Sequence, residues 1–504
     1  MSTTLRISLI AAASAAVLVA CGGSDDHDGY TPPPAQPPVL NISKLDGRYH
    51  HNKTHQDSGF RAISDMTPSA GQAAEIALPA LDAQAQAKAQ SDSLGGPILI
   101  AQPQTVAQAQ SPEQLASLLH WRQDAQGQQV AALRVQAAGA LGIRLGLWVQ
   151  ALPDAALLRL YPDGGADAQG FETTGAEINA VLRLNAQAGE QGAAARTWWS
   201  PDLGGDAVRL EIILPAGTAP EALQLALPSI SHRFVDTDSD AALQPAQPQR
   251  VSLSKERIPS AGSCNLDMSC YSNGSAERDA VARMSFVRDG KGYFCTGTLL
   301  NDAIHSDIPY FLTAHHCISS QTVAGSLQTD WFFRSASCGS PYLDARRTTR
   351  TRGARLLYTS NVGQGFDTTL LVLNDAAPAG TYLAGWDARL NNSIQKVLAL
   401  HHPSGTLGKI SGGETQNYAN CDGRHCQAAS DGRGRYYEVR WGDGTTEAGS
   451  SGSALFTQSG HVIGTLHGGT ASCSAPDEPD FYGRLDLAFE SGLKNFLAAA
   501  QRPF

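Results

Sequence analysis

Residues 447–456 read EAGSSGSALF, and this stretch predicts the fold of the second half of the 504-residue chain. At its centre Ser451 stands between glycines and is followed by an apolar run at 454–456. Glycines allow a tight turn whose backbone N–H groups point inward, so the amides of Gly449 and Ser451 could bind a developing oxyanion. The stretch therefore predicts a serine nucleophile, although glycine- and serine-rich runs also occur in ordinary loops.

Two upstream segments could supply the base and the carboxylate that a serine nucleophile needs. Residues 310–317 read YFLTAHHC, an apolar strand pattern that ends in two histidines and a cysteine. Residues 365–373 read GFDTTLLVL, in which Asp367 heads a second strand-like run. The order His, Asp, Ser along the chain is that of the chymotrypsin-like proteases, whereas subtilisins and α/β-hydrolases use other orders.

Several separate motifs resemble those of the bacterial lysyl endopeptidases, the Achromobacter protease I type of the trypsin-like superfamily. They read CTGTLLN at 295–301, TAHHC at 313–317, DTTLL at 367–371, GSSGS at 449–453 and LHGG at 466–469. The resemblance spans residues 260–489. It implies an all-β protein, with a chymotrypsin-like double β-barrel catalytic domain at 259–504 that follows a β-sandwich-like prodomain.

The resemblance also implies catalytic roles. Ser451 would be the nucleophile, and His316 would be the base because it directly precedes Cys317, as in the trypsin-like pattern. His315 is then a neighbouring structural or modulating residue. Asp367 would orient the ring of His316 and stabilise its charged form. Three other carboxylates are alternatives to Asp367, although none of them heads an apolar strand: Asp330, Asp344 and Asp375.

Substrate selection is predicted downstream of the nucleophile. The segment DFYGR at 480–484 resembles the family stretch whose aspartate binds a lysine ammonium, so Asp480 is the predicted selector. Asp477 and Glu478 lie close enough in sequence to compete for that assignment. Lysine is a compact point charge, whereas arginine needs a longer pocket and a bidentate partner. The spacing from Cys473 to Asp480 is shorter than in the family, which leaves the ratio of lysine to arginine preference open.

The substrate groove is predicted beside the strand edge at 466–469. His467, Gly468 and Gly469 would line it, and extended peptide would bind there by strand pairing. The tryptophan that the family carries on the substrate-side loop is missing from this chain. Tyr418 and Tyr436 are the candidates for that region.

The nine cysteines predict disulfides in an exported protein, because an even set of eight remains once Cys21 is assigned to the export signal. Sequence alone does not give their connectivity. The resemblance implies three pairs: Cys264 with Cys473, Cys270 with Cys338, and Cys295 with Cys317. Cys421 and Cys426 remain and are predicted to pair with each other, the alternative being a metal site that includes His425.

The first 45 residues are interpreted as export and anchoring signals. Residues 1–21 contain one positive charge, an apolar run too short to span a bilayer, and a lipobox-like LVAC that ends in Cys21. They predict a lipoprotein-type signal peptide with lipidation of Cys21, the alternative being an ordinary signal peptide. Residues 22–45, rich in proline and glycine, predict a tether. The protein is thus expected to be exported, as an outer-membrane lipoprotein or an extracellular protein after processing.

Residues 46–250 are predicted to form a β-rich N-terminal prodomain with linkers. Alternating strand patterns separated by turn residues run from about residue 131 to residue 234. No catalytic or binding motif is recognised in the sequence of this region. It is interpreted either as a folding aid or inhibitor, or as a structural or binding domain. The linker at 241–250 is followed by Lys255 and Arg257, where a protease that cuts after basic residues could cleave itself.

Composition limits the classes of partner. The formal net charge is -10, and nucleic-acid binding needs clustered cations that this chain does not show. The predicted partners are protein or peptide substrates with lysine or arginine before the scissile bond, with membrane contact only through the lipid anchor. A monomer without metal or cofactor is expected. The competing functions are a catalytically weak binding protein or adhesin on a protease fold, and an esterase.

Overall fold

The computed structural model describes residues 38–50, 59–66, 73–82, 96–163, 168–235, 261–340, 342–390, 394–430 and 433–503. Several predictions concern residues outside these ranges. They are the signal peptide with Cys21, most of the tether, the linker at 241–250, and the basic residues Lys255 and Arg257.

Before residue 236 the described chain forms thirteen strands and three α-helices. The strands are β1 (Lys44–Leu45), β2 (Arg48–Tyr49), β3 (Phe60–Ala62), β4 (Ala74–Leu78), β5 (Ile98–Thr105), β6 (Arg122–Gln123), β7 (Gln129–Ala137), β8 (Gly142–Ala151), β9 (Leu157–Pro162), β10 (Gln169–Thr174), β11 (Thr197–Trp199), β12 (Ala207–Leu214) and β13 (Gln224–Arg233). The helices are α1 (Pro112–Leu118), α2 (Gly175–Gln187) and α3 (Gly192–Ala195).

From residue 261 onwards the described chain forms seventeen strands and three one-turn α-helices. The strands are β14 (Leu266–Asp267), β15 (Val281–Arg288), β16 (Lys291–Leu300), β17 (Tyr310–Thr313), β18 (Gln328–Trp331), β19 (Thr348–Arg350), β20 (Ala354–Ser360), β21 (Thr368–Leu373), β22 (Tyr382–Leu383), β23 (Gly385–Asp387), β24 (Lys396–His401), β25 (Lys409–Asp422), β26 (His425–Ala428), β27 (Tyr436–Asp443), β28 (Ala454–Thr457), β29 (His461–Gly469) and β30 (Asp480–Arg484). The helices are α4 (Gln321–Ala324), α5 (Leu485–Ala488) and α6 (Lys494–Leu497). No helix in the described ranges is long and apolar enough to cross a lipid bilayer.

Two sheets pack around one apolar core in the N-terminal half. The first has the order β3-β10-β9-β12-β7-β4, and the facing layer has the order β11-β8-β13-β5. Their inward side chains form one cluster, in which Leu133 and Leu210 come from the first sheet and Leu145 and Leu227 from the second. Alternate residues of a strand point to opposite faces, so these alternating sequences bury one face of each sheet. These strands therefore form two β-layers around a shared core.

The 13-residue helix α2 was not predicted from the sequence. Its N-cap is Thr174, whose hydroxyl accepts from the backbone N–H of Glu177 while the Glu177 carboxylate accepts from the backbone N–H of Thr174. Ile178 and Val181 from one face of the helix join the core of the sandwich. The helix therefore covers part of that core.

The second layer of the sandwich continues into the protease-like half. Strand β5 pairs antiparallel with β13 on one side and with β16 on the other. One 11-stranded sheet consequently contains strands of both halves. The short strands β1 and β2 also pair with the second half, through β23 and β22, although β2 lies within the range predicted for the prodomain.

The second half contains a closed barrel. Strand β24 pairs with β25 and β28, β27 with β25 and β30, and β29 with β28 and β30, which completes a ring of six strands. The preceding antiparallel strands of this half, from β15 to β21, pack around a core that includes Phe311 and Leu370. The prediction of an all-β protein with a chymotrypsin-like catalytic domain is confirmed.

Candidate active site

Strand pairing brings His316 and Asp367 together. Strands β17 and β21 are antiparallel, with Thr313 opposite Thr369, so the end of one strand lies beside the start of the other. Asp367 Oδ2 accepts a hydrogen bond from Nδ1 of His316 at 2.7 Å, and Oδ1 accepts from the backbone N–H of His316 at 3.0 Å. Two bonds from one carboxylate fix both the backbone and the ring of His316, and with them the direction of Nε2.

The carboxylate of Asp367 is fully buried and ionised. Burial by itself would raise the pKa of this carboxyl, but the imidazoles of His316 and His467 outweigh it and hold the pKa well below its usual range. Asp367 therefore accepts from Nδ1–H, and a neutral His316 ring then carries its lone pair on Nε2. That nitrogen is buried and makes no hydrogen bond to another described residue.

Ser451 lies in a turn that is bonded to β16 and packed against the end of β17. Its carbonyl accepts from the backbone N–H of Thr296 at 2.9 Å. A Cβ built on the next residue, Gly452, would lie 2.2 Å from Oγ1 of Thr313 and 2.9 Å from the backbone N of Ala314, so only glycine fits there. Ser451, which is 3% exposed, thus sits beside the segment that carries His316.

Gly449 needs both the conformation and the size of glycine. Its φ is +92°, in the region that favours glycine, and a Cβ would lie 3.0 Å from the carbonyl oxygen of His402 and from the backbone N of Gly405. The Oγ1–H of Thr296 also donates to the carbonyl of Gly449 at 3.0 Å. These contacts constrain the backbone conformation at Gly449.

The neighbouring Ser450 is part of the loop's support. Its Oγ lies 2.7 Å from Nδ1 of His401 and accepts from the backbone N–H of Glu447 at 3.2 Å. Nε2 of the same ring lies 3.0 Å from Oγ of Ser411. Burial lowers the pKa of His401 to about 3, so the ring is neutral. His401 has no recognisable motif, and sequence reasoning missed it.

His467, which the sequence placed in the substrate groove, also reaches the catalytic carboxylate. Its Nδ1 lies 2.5 Å from Oδ2 of Asp367, and its Nε2 lies 2.8 Å from the carbonyl oxygen of Gly423. The ring is nearly perpendicular to that of His316 at 5.9 Å, and it packs against Tyr436 at 5.4 Å. Of the two candidate tyrosines, Tyr436 is therefore the one beside His467.

The other candidate histidine and the three other candidate carboxylates make hydrogen bonds to different residues. Nδ1 of His315 lies 2.8 Å from Oγ1 of Thr359, and burial lowers its pKa. The three alternative carboxylates bond to groups outside this site: Asp330 to Arg283 and Thr349, Asp344 to Arg334 and Arg346, and Asp375 to the backbone N–H groups of Thr351 and Arg352. Among the four carboxylates considered, Asp367 is the one in contact with His316.

Asp480 begins β30 and is 1% exposed. Its Oδ2 accepts from Nε1 of Trp441 and from Oγ1 of Thr446, both at 2.7 Å. A Cβ built on Gly469, its partner in β29, would lie 2.3 Å from Oδ1. Burial raises the pKa of Asp480 to about 6 because these two donors and the backbone N–H of Ala471 compensate only part of the lost hydration.

The carboxylate alternatives to Asp480 are exposed. Both Asp477 and Glu478 lie on the surface of the turn before β30. Gly468 pairs with Phe481 of β30, while the register of β29 with β28 ends at Thr465. The buried carboxylate of Asp480 lies on β30. The end of β29 that no longer pairs with β28 pairs with β30, so both features lie on these two strands.

The eight cysteines of the second half form four disulfides: Cys264 with Cys473, Cys270 with Cys338, Cys295 with Cys317, and Cys421 with Cys426. The third of them ties β16 to the residue after His316. The fourth closes the turn between β25 and β26, so these two sulfurs are bonded to each other and are not free thiolate ligands for a metal.

The chain matches two family models, "Lysyl endopeptidase N-terminal domain" over residues 73–234 and "Lysyl endopeptidase, C-terminal domain" over residues 258–483. It is 31% identical over 388 residues to a lysyl endopeptidase of Pseudomonas aeruginosa, covering 73% of this chain and 74% of that protein. It is also 24% identical over 220 residues to Secreted RxLR effector protein 73 of Plasmopara viticola, covering 42% of this chain and 51% of that protein.

Solved structures of proteases are also similar in part. The Rv3671c protease from M. tuberculosis in its active form gives a TM-score of 0.31 at 16% identity, covering 50% of this chain and 96% of that one. The thermostable serine protease AL20 from an extremophilic microorganism gives a TM-score of 0.31 at 13% identity, covering 45% of this chain and all of that one.

Proposed function

Because the chain belongs to the lysyl endopeptidase family and is thus a serine endopeptidase, we propose that it hydrolyses peptide bonds after basic residues, preferably lysine. Ser451 is the proposed nucleophile, His316 the base, and Asp367 the residue that orients the base. The observation that carries this assignment is the pair of hydrogen bonds that the ring and backbone N–H of His316 donate to Asp367, next to the Ser451 turn.

The proposed reaction gives each of these groups one role. Nε2 of His316 takes the proton of the Ser451 hydroxyl as Oγ attacks the carbonyl carbon, and the oxyanion is stabilised by the N–H groups of Gly449 and Ser451. The imidazolium, stabilised by Asp367, then gives its proton to the leaving amine. Water hydrolyses the acyl-enzyme by the same proton route in reverse order.

Selectivity for lysine is proposed to come from Asp480. Its carboxylate is buried and oriented by Trp441 and Thr446, so a lysine ammonium that reaches it regains in a charge pair much of the hydration that it loses. A single carboxylate suits the compact ammonium better than the planar guanidinium, which prefers a bidentate partner.

Replacing Asp480 with asparagine tests this selectivity. The kcat/KM for lysyl peptide amides should fall roughly 10²-fold or more, because removing one partner of a buried charge pair costs about 2–5 kcal/mol. Hydrolysis of peptide amides with a neutral residue before the scissile bond should change little. Asp477→Asn, the same change at the exposed carboxylate, is the matched control. Equal turnover of lysyl, arginyl and neutral amides by the wild type would contradict the assignment.

The preference for lysine should also depend on pH. Since burial raises the pKa of Asp480 to about 6, the free enzyme's carboxyl is neutral below that pH and negative above it, whereas the lysine ammonium stays positive throughout. The ratio of kcat/KM for lysyl over neutral amides should therefore rise as the pH increases through about 6. Both substrates react through the same nucleophile and base, so effects of pH on that shared machinery cancel in this ratio. If the ratio of kcat/KM for lysyl over neutral amides did not change as the pH passes through about 6, the proposal would be contradicted.

Export and maturation are proposed from the sequence. The chain is proposed to leave the cell on a lipoprotein-type signal with Cys21 lipidated, and residues 46–250 are proposed as a prodomain separated from the monomeric enzyme by cleavage near residues 255–257. Mass spectrometry tests both steps, since the N-terminus of the exported precursor shows whether Cys21 is lipidated and the N-terminus of the released enzyme shows whether the chain is cut near residues 255–257.

A further inference from the structure

A residue of the N-terminal half reaches the predicted oxyanion hole. The backbone N–H of Gly449 donates a hydrogen bond to the carbonyl oxygen of Gly96 at 3.2 Å. Gly96 is buried, and Pro97 and strand β5 follow it directly. The amide that the proposed mechanism aims at the oxyanion is therefore bonded to a peptide carbonyl of the same chain.

The residues after Gly96 run along the site as an added strand. Strand β5 is antiparallel to β16, with Ile98 opposite Phe294 and Leu99 opposite Tyr293. Two residues beyond Phe294, Thr296 makes the hydrogen bonds that hold Gly449 and Ser451. The segment thus pairs with the strand that supports the nucleophile turn, which is the way extended peptides bind to a sheet.

Apolar contacts hold the segment in this position. Ile98 and Ile100 are buried in one cluster with Phe294, and Ala448, the residue before Gly449, packs against that cluster. The antiparallel pairing of β5 with β13 continues the attachment into the sandwich. The position of Gly96 is therefore fixed by a folded domain.

We propose that residues 96–98 occupy the active site in the register of a substrate and so inhibit the enzyme before maturation. The carbonyl of Gly96 takes the place of the carbonyl that Ser451 attacks, and the Gly96–Pro97 bond takes the place of the scissile bond. Ile98 is the second residue on the leaving side. This inference rests on the proposed function, because it assigns the occupant of that same site.

The chemistry of the segment explains why it is not cleaved. Gly96 has no side chain to pair with Asp480, so it gains none of the binding energy that a lysine would provide. Cleavage would require Ser451 Oγ to bond to the Gly96 carbon, its proton to pass to His316, and the C–N bond to break with that proton on the nitrogen of Pro97. That nitrogen lies in a rigid ring, and the pairing of β5 with β16 keeps it beside the acyl carbon, so return to the peptide is favoured.

Position 96 accepts a larger residue, which makes the register testable. A Cβ built on Gly96 would meet no atom within 4 Å, and its φ is not in the region reserved for glycine. In the full chain, Gly96→Lys with Pro97→Ala should convert the inhibitor into a substrate that is cut after residue 96. Mass spectrometry should show this cut at least about 10-fold faster than in Gly96→Lys alone, which keeps the proline. The same double variant carrying Ser451→Ala should stay intact.

The outcomes separate this inference from the proposed function. A chain that cuts added lysyl peptide amides but leaves the 96–97 bond of the double variant intact would overturn the inference and keep the function. Cleavage at that bond followed by a rise in amide hydrolysis would support both.

A second measurement does not need catalysis. In the Ser451→Ala chain, Gly96→Lys should raise the melting temperature and Gly96→Glu should lower it, because the proposed register directs the side chain at 96 to the pocket of Asp480. Adding Asp480→Asn should remove this difference. If the order of melting temperatures holds while no peptide is cleaved by any variant with Ser451, the register stands and the proposed function fails. Equal melting temperatures for the two variants would overturn the register.

Discussion

Replacing Ser451 with alanine is expected to lower kcat for lysyl peptide amides by roughly 10⁶-fold, because loss of the nucleophile removes the acyl-enzyme path and leaves only binding and the oxyanion hole. The KM should change little, since the hydroxyl is not proposed to bind the ground state. The rate should be measured after the linker at 241–250 has been cut by an added protease. The result then does not depend on the variant's inability to process itself.

The two other serines of the GSSGS motif are the controls for this experiment. The hydroxyl of Ser450 is held by His401 and the backbone N–H of Glu447, so Ser450→Ala should loosen the loop and lower kcat far less than Ser451→Ala. Ser453 belongs to the same turn, and Ser453→Ala should also keep most of the activity. If Ser450→Ala abolished hydrolysis while Ser451→Ala retained it, the assignment of the nucleophile would be wrong.

Strand patterns could be predicted where one face or both faces of a strand are buried. The runs that become β17 and β21 are buried along their whole length, and a continuous apolar run is the pattern of such a strand. Helix α2 was missed, although Thr174 and Glu177 form the S/T-x-x-E signature of a helix start. The helix was not predicted because the alternating strand patterns on both sides led to the whole region being interpreted as β-strands.

The partners of the predicted site residues could not be derived in the same way. Asp367 and His467 are 100 residues apart, Asp480 and Trp441 are 39 apart, and no motif links either pair. Which buried donor meets which acceptor depends on how distant strands pack, and hydrophobic periodicity does not encode it. The contact of Gly96 with Gly449 is the same kind of information, since it depends on β5 joining β16.

The chain therefore uses one strand for two purposes. Strand β16 carries Cys295, bonded to the residue after His316, and Thr296, bonded to the nucleophile turn. Its other edge pairs with β5. The N-terminal half thus adds a strand to the element that supports the catalytic residues, which is consistent with both a folding aid and an inhibitor.

Asp367→Asn is expected to lower kcat by about 10⁴-fold while the fold is retained, because the amide selects the wrong tautomer of the base. The backbone N–H of His316 donates to Oδ1, so an asparagine would place its oxygen there and its NH₂ group at the position of Oδ2. That NH₂ group faces Nδ1 of His316, which must then accept, and the ring proton moves to Nε2. A protonated Nε2 cannot take the proton of Ser451.

The same NH₂ group also faces Nδ1 of His467, so the substitution should disturb both rings that Asp367 holds. His467→Ala should lower kcat less than Asp367→Asn does, because it leaves the hydrogen bonds between His316 and Asp367 in place. Asp375→Asn is the matched control, since Asp375 is a buried carboxylate bonded by backbone N–H groups away from the site. The readout is kcat as a function of pH, together with a melting curve that shows the variant to be folded. A folded Asp367→Asn enzyme within about 10-fold of the wild-type kcat would mean that His316 does not depend on this carboxylate for its tautomer.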